Sequence, residues 1–572
     1  MIIRGAVVVL LCLCISLAKA AEVSSVEYKK AQEPIGKFGK TLNLSTFGSG
    51  PKTFNLWASA DNTSSTLARL MFDSLFEDSP DNGEVIPHLA KSYEILDEGK
   101  TIIVKLRKGV KWSDGKPITS DDVVFTWNKI VFNGLEGGGF QSLCQIDGKY
   151  PIVRKIDDQT IEFMTHEVFA PFLRQIGYPP APKHIVAPLI DKASNKKEAF
   201  LAFWGTDTNP YHFVTSGPFK LSRYVQGERI EFIKNPNYFV INVDNQKLPY
   251  FDKIIYSIVQ DKSLELFKFL AGEIDIVSIQ GEDVSLVKKL EKKGNYKVVN
   301  LGPSSGTEFL VFNLHNENAK DLSAKWFNNL YFRQAISHAI DRLGIVDNVL
   351  GGVGKPLFTP EALPSIYLNK KIASGYPQDL NLARNLLNKG RFQWDKNGNL
   401  LDDKGNKVTF TILTNAENNV RQAIGVIIQD DLKQLGIKVN LRPLDFNTLI
   451  GRSDSGDWEA IIIGFTGGFF EPNEGANVWK LSGRLHMFDQ KSHKPRDWEV
   501  EIDRLFGEAT RYVDFKSRKR LYDKFQEIVY EKLPFIYLTS PMRIVATQNT
   551  LGNVRPTIYG GALHNIESIY KN

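Results

Sequence analysis

Cysteine is almost missing from these 572 residues: Cys12, Cys14 and Cys144 are the only three. If the first twenty residues are removed, Cys144 stands alone. No intramolecular disulfide can then form, and stability has to come from packed cores. Long hydrophobic runs are also scarce. AVVVLLCLCISL, residues 6–17, is the longest near the start, and no later stretch reaches the roughly 20 apolar residues needed to cross a bilayer. Nor does one sign of charge dominate, with 71 basic and 65 acidic side chains scattered along the chain. The densest basic run, VKKLEKK at 287–293, reads as one solvated helix face, so no nucleic-acid partner is expected. Internal repeats and low-complexity segments are absent as well.

What is there belongs to an ordinary globular protein. Apolar residues make up 42 % and charged residues 24 %, and 36 Phe, 19 Tyr and 9 Trp supply large packing surfaces. The length corresponds to about three to four domains' worth of chain. Arg4, the apolar run 6–17 and the small residues around Ala18-Lys19-Ala20 form the pattern of a secretory signal peptide over residues 1–20. Leu11 precedes Cys12 and Leu13 precedes Cys14, where an acylation site needs a small residue, so a lipoprotein is not expected. Without Arg4 and Lys19, the remaining 69 basic and 65 acidic side chains leave a net charge of +4.

Periodicity predicts mixed α and β structure. KTLNLST (40–46) reads as a strand and TSSTLARLMFDSLF (63–76) as a helix with Leu67, Leu70, Met71 and Leu75 on one stripe. Ile102, Val104 and Leu106 alternate as a half-buried strand, and Thr119 with Asp122 forms a capping box ahead of Val123, Val124 and Trp127. Two strands flank a turn at Gly227, LPYFDKIIYSIVQD (248–261) reads as another strand leading into a helix and then the strand GEIDIV (272–277), and YFRQAISHAIDRLGIV (331–346) reads as one amphipathic helix including Leu343. The paired acids Asp121-Asp122 and Asp430-Asp431 read as a helix start and a solvated helix face. WEAIIIGF (458–465) is an apolar run of strand length.

Several of these pieces, taken in order, resemble family 5 of the extracellular solute-binding proteins, the peptide- and nickel-binding receptors of ABC importers. They are LAKSYEI through DDVVFTW (89–127), TSGPFKL (215–221), NPNYF (235–239), FRQAISHAIDR (332–342), LKQLGIKV (432–439) and RLYDKFQEIVYEKLPFIYL (520–538). The resemblance implies a two-lobed α/β fold of the type II periplasmic-binding-protein kind. Lobe one would comprise 21–86, 205–300 and 539–572, with an extra domain at 87–204. Lobe two would be 301–538, and the chain would cross between lobes near 301–309 and 534–541. It implies a periplasmic monomer that captures a small-molecule or peptide ligand and delivers it to permease subunits in the membrane, without catalysis, cofactor or metal.

Motifs of other chemistry are weak. Gly302-Pro303-Ser304-Ser305-Gly306 matches G-x-S-x-G, which would make Ser304 the nucleophile of a secreted serine hydrolase. A strand rather than a helix is expected after it, which removes the helix N-terminus that an oxyanion site would use. Gly351-Gly352-Val353-Gly354-Lys355 is followed by Pro356, not the Ser or Thr of a phosphate-binding loop. His486 and His493 lack further ligands nearby.

The stretch GFTGGFFEPNEGANVWK (464–480) follows the expected strand 458–465, and ligands in open α/β lobes bind outside strand ends. The resemblance makes it a ligand-binding loop; the alternative is a loop whose rings only close lobe two's core. Phe465, Phe469 and Trp479 would offer apolar faces, Gly467 and Gly468 backbone access, and Arg421, Arg484 or Glu471 a polar anchor. Lobe one would add Phe47 and Gly217, and Phe309 at a crossing is a further candidate. Peptide receptors of the family carry an aspartate four residues before the loop proline, which pairs with the peptide's free amine. Counting back from Pro472 gives Gly468. Burying an ammonium without a counter-charge costs several kcal/mol, against about 8 kcal/mol for micromolar binding. Peptide stays the leading class by the resemblance, while an oligosaccharide, a modified peptide or a metal chelate fits the missing aspartate better, and Gly468→Asp is expected to strengthen binding of free-amine peptides.

Overall fold

The computed structural model describes residues 26–572 apart from 49, 60, 138–139, 147, 316–321, 466, 484 and 490–493, and of residues 47, 142 and 447 the backbone alone. The signal-peptide reading of 1–20, Arg484 and His493 lie outside the described residues. Among those described, no helix is long and apolar enough to cross a membrane.

Four main sheets build a two-lobed α/β molecule. In the first lobe, Thr41–Phe47 lies parallel to Lys253–Val259, which is followed in the sheet by Arg229–Lys234 and Phe219–Val225. An antiparallel sheet ordered Ala90–Leu96, Thr101–Leu106, Thr160–Met164 and Ile152–Lys155 stands beside it. One hydrophobic core runs without a break through both, from Leu42 and Ile254 to Ile161 and Trp127. The capping box forms as expected at Ser120–Phe125, and Trp127 is fully buried.

The second lobe is a five-stranded mixed sheet in the order Lys438–Leu444, Thr409–Asn415, Ala460–Phe465, Thr307–Phe312 and Phe535–Tyr537, with its own core. Between the lobes, Thr539–Gln548 pairs with Ile276–Ile279, Tyr296–Pro303 and Gly354–Pro356. The chain passes from Tyr296–Pro303 into Thr307–Phe312 and from Phe535–Tyr537 into Thr539–Gln548. The two passages are tied together by Leu538 N–H donating to the Glu308 carbonyl (2.9 Å) and Ser304 N–H to that of Pro541 (2.9 Å).

Three local expectations differ from what forms, each because a competing group captures a backbone bond. The helix read over 63–76 ends at Ala68. The Met71 carbonyl accepts from Ser216 and Gly217 N–H, and that of Leu70 from Phe219 N–H, so Leu70, Met71 and Leu75 are buried in an irregular segment. The helix read over 331–346 is two, Leu330–Ala339 and Arg342–Val349. The Ser337 carbonyl that an uninterrupted helix would bond to Asp341 N–H instead accepts from the Arg342 guanidinium (2.7 Å), and Asp341 N–H donates to Asp431 (2.9 Å). Leu343 consequently points outward, 64 % exposed. Asp431, expected on a solvated face, is buried, and burial raises its carboxyl to about 6.

Candidate functional site

Ala460–Phe465 is an interior strand of the second-lobe sheet with its first four residues buried, and the loop leaves at its end. Glu471 stops the loop: its side chain accepts Asn473 N–H (3.0 Å) ahead of the short helices Pro472–Gly475 and Ala476–Trp479. The result is one wall of a cleft of about 960 Å3. Gly464, Phe465, Gly467, Gly468, Glu471 and Trp479 line it, with Glu361, Ser305 and Tyr537 from the second lobe and Leu143 from the first.

The two phenylalanines of GGFF do different work. Phe469 is buried against Tyr559 (5.3 Å between centroids) and does not line the cleft. Phe470 crosses to the first lobe. It lies on Gly83, where a Cβ would overlap its ring, under the Arg174 guanidinium (5.1 Å) and beside Tyr559 (4.6 Å).

Of the other candidates, Phe465 and Trp479 join both readings of the loop. Phe465 packs on Phe309 (4.9 Å) and Trp479 on Phe525 (4.8 Å), while both border the cleft. Phe309 is fully buried in the second-lobe core and offers no surface to a ligand. Arg421 is spent on Glu308 through two hydrogen bonds (2.8 and 3.0 Å) and lies off the cleft wall. Gly217 packs against first-lobe backbone, with the Leu70 carbonyl 2.7 Å from where its Cβ would be. Phe47 ends the Thr41–Phe47 strand.

Charge in the cleft comes from Glu471, a candidate anchor in the sequence, and from three acids that motif reading passed over. Glu361, Asp454, Glu471 and Glu474 line it, and among the described residues its wall has no Lys, Arg or His. Glu471 is buried and held by Arg518 (2.5 Å), which lies 47 residues away in sequence. Arg518 also donates to the Ala509 carbonyl (3.2 Å) and packs between Tyr367 and Tyr522. The Glu474 carboxylate occupies the space beside Gly468: an added Cβ would overlap it, 2.9 Å from its carboxyl carbon. Glu474 is open to the water of the cleft, yet protein surrounds it. That desolvation and the neighbouring Glu471 push its carboxyl up to about 7. Burial, then Glu471 and Glu474, push Glu361 to about 7 against the hydrogen bond from Ser365. The spacing EPNE was the one sequence signal for Glu474; Glu361, over a hundred residues earlier, left none.

These two carboxyls oppose folding when ionised. Their folded values lie above the ordinary 4.5, so the stability tied to the proton is complete below pH 4.5 and lost as pH rises through 7. Thermal melts from pH 5 to 8 should therefore show Glu361→Gln with a shallower decline than the unsubstituted protein; parallel curves would contradict the assignment.

The residues of the other motifs have structural partners. The Ser304 hydroxyl accepts Gly306 N–H (2.8 Å) in the passage between lobes, and a strand follows it. Gly354–Pro356 is a strand edge. His486 is buried with Nδ1 on the Val478 carbonyl (3.0 Å), and among the described residues no group of three or more His, Cys, Asp or Glu stands close enough to hold a metal ion.

Comparison with known proteins agrees with this geometry. A probable ABC transporter-binding protein of Deinococcus radiodurans is 34 % identical over 528 residues, covering 88 % of this chain and 86 % of its own. The oligopeptide-binding protein AppA of Bacillus subtilis, solved in complex with a nonapeptide, superposes with a TM-score of 0.73 at 25 % identity, covering 94 % of this chain and all of its own. At 21 % identity the periplasmic binding protein MelB of Agrobacterium fabrum, solved with stachyose, shares the fold with a TM-score of 0.75, over 94 % of this chain and 86 % of its own. The family model for bacterial extracellular solute-binding proteins, family 5 Middle, matches residues 84–485. With that family model spanning well over half of its length and a relative 34 % identical across most of it, the chain belongs to family 5 of the bacterial extracellular solute-binding proteins.

Proposed function

We propose that this protein captures a peptide-like solute in the cleft and hands it, lobes closed, to the permease of an ABC importer. It would do so as a periplasmic monomer after losing residues 1–20. The lobe and extra-domain limits given by the resemblance carry over to this proposal, since each main sheet falls inside one of those segments except the one that Thr539–Gln548 shares with Gly354–Pro356.

The observation that carries the reading is that the cleft-forming loop itself reaches across to the other lobe. Phe470 lies on Gly83 and Arg174, and elsewhere Ala170 N–H donates to the Thr510 carbonyl (2.8 Å) while Arg511 pairs with Glu167. Closure thus buries surface on the same segment that meets the solute, and a ligand touching both walls adds differential affinity for the closed state.

Small-angle scattering tests this. Adding a periplasmic extract to the dialysed protein should reduce its radius of gyration, and native mass spectrometry should find a retained small molecule. Curves unchanged by any extract would overturn the proposal. Phe470→Ala removes the ring from its seat and is expected to expand the ligand-free protein and weaken capture about tenfold, the equivalent of about 1.4 kcal/mol. An unchanged scattering curve would show that the ring does not help hold the lobes together.

A further inference from the structure

Resting on the receptor reading, we propose that Arg342 is a positioning residue for solute capture: one step back from the cleft, it fixes the passage strand at Tyr537 and the cleft wall at 358–362 against each other. Arg342 is buried, with 4 % of its surface exposed. Its Nε donates to the Tyr537 carbonyl (2.7 Å), Nη1 to those of Ser337 (2.7 Å) and Tyr376 (3.4 Å), and Nη2 to the Ser337 hydroxyl (3.0 Å). The guanidinium lies over the Phe358 ring, 4.8 Å from its centre. That ring also lies on Gly375, where an added Cβ would overlap it.

These partners converge where the chain passes between lobes. Tyr537 ends the edge strand of the second-lobe sheet, borders the cleft, and is followed at once by the passage into Thr539–Gln548. The wall segment starts from the same passage: Pro356 pairs with Thr539, and Leu357 N–H donates to the Leu538 carbonyl (3.0 Å). Phe358 then meets Arg342, and Pro360, Glu361 and Ala362 reach the cleft. Arg342 lines no part of it, so its influence on a solute has to run through Tyr537 and this wall.

Charge argues for positioning over stability. Among the described residues no carboxylate pairs with Arg342, and burial pulls its guanidinium down to about 9, still charged at neutral pH. A buried cation without an acid carries a desolvation cost that an apolar side chain would not. What arginine adds is a flat fork of five donors, able to hold three carbonyls and a hydroxyl at fixed angles while stacking on a ring. A lysine has a point charge and no plane, so it cannot hold the strand and Phe358 together.

Arg333 supplies the contrast. It too is buried without a carboxylate partner among the described residues, and it donates to the carbonyls of Phe327 (2.5 Å) and Lys532 (2.7 and 3.0 Å). Lys532 ends the helix Phe515–Lys532, and none of these residues lines the cleft. Its loss should therefore cost stability alone.

The test compares the mature protein with its Arg342→Lys, Arg342→Ala and Arg333→Met variants, each freed of ligand by dialysis. Two readouts are used: amide hydrogen exchange, and retention of a solute in native mass spectrometry, from a tryptic casein digest or, where the digest supplies none, from a periplasmic extract. Arg342→Lys is expected to speed exchange in peptides covering 354–362 and 535–541. It should also weaken retention by about 2- to 30-fold, the range that packed networks remote from a ligand transmit. Arg333→Met should lower the denaturant midpoint and leave retention and the exchange of 354–362 unchanged. Millimolar methylguanidinium, but not methylammonium, should restore retention to Arg342→Ala, because only the flat fork fits the vacated carbonyls. Retention by Arg342→Lys equal to that of the unsubstituted protein would overturn the positioning role while leaving the receptor reading intact, and so would an equal loss in Arg333→Met. If the unsubstituted protein retains nothing from either source and the extract leaves its scattering unchanged, the receptor reading fails and the positioning role with it.

Discussion

Arg518→Met is expected to destabilise the protein by about 3–5 kcal/mol, the cost of leaving a buried carboxylate without its partner. Both side chains are nearly inaccessible, at 7 % for Arg518 and 5 % for Glu471, so solvent cannot take over the lost charge. The loss should appear as a lower denaturant midpoint, measured by tryptophan fluorescence. Glu471→Gln combined with Arg518→Met should return a large part of it, because the double variant has no ionised group left to bury. If the double variant is as unstable as the single one, packing of the arginine between Tyr367 and Tyr522 matters more than charge. Because Glu471 both caps the helix after the loop and lines the cleft, the single variant should also lose ligand capture.

Phe309→Ala should cost a similar amount, about 3–5 kcal/mol, by opening a cavity under the five-stranded sheet. Phe309 touches Phe465, Phe535 and Tyr537 and has no exposed surface. A lower midpoint with an unchanged denaturant slope is the expected signature of a core residue. A ligand contact would instead leave the ligand-free midpoint where it was and lower affinity alone. The same comparison separates Phe309 from Phe465, its neighbour on the cleft wall.

Much of the scaffold was legible because short-range rules carry it. The Ile102–Leu106 alternation, the Thr119–Asp122 cap and the apolar run 458–465 each depend on residues within a few positions, and each forms in the expected place. The reading of 464–480 as a ligand-binding loop came from the family resemblance, and its rings both border the cleft and pack on the core. Failures share a different cause. The helix at 330–349 breaks because Arg342 and Asp431 compete for its backbone groups, and Arg421 is withdrawn from the cleft by Glu308, 113 residues away. No local pattern encodes such a partner.

By itself, the sequence determined the family through its ordered motifs, and with the family the two-lobed fold, while hydrophobic periodicity determined the mixed α and β elements, because both are properties of neighbours along the chain. Only the tertiary structure decided the cleft's charge. It set Glu361 and Glu474 close to Glu471, used Arg518 to neutralise one of the three, and returned to Gly468's side a carboxylate that counting along the chain reported as lost. Electrostatic energy depends on distance through space and on how much water remains, and both are defined only after the chain has folded.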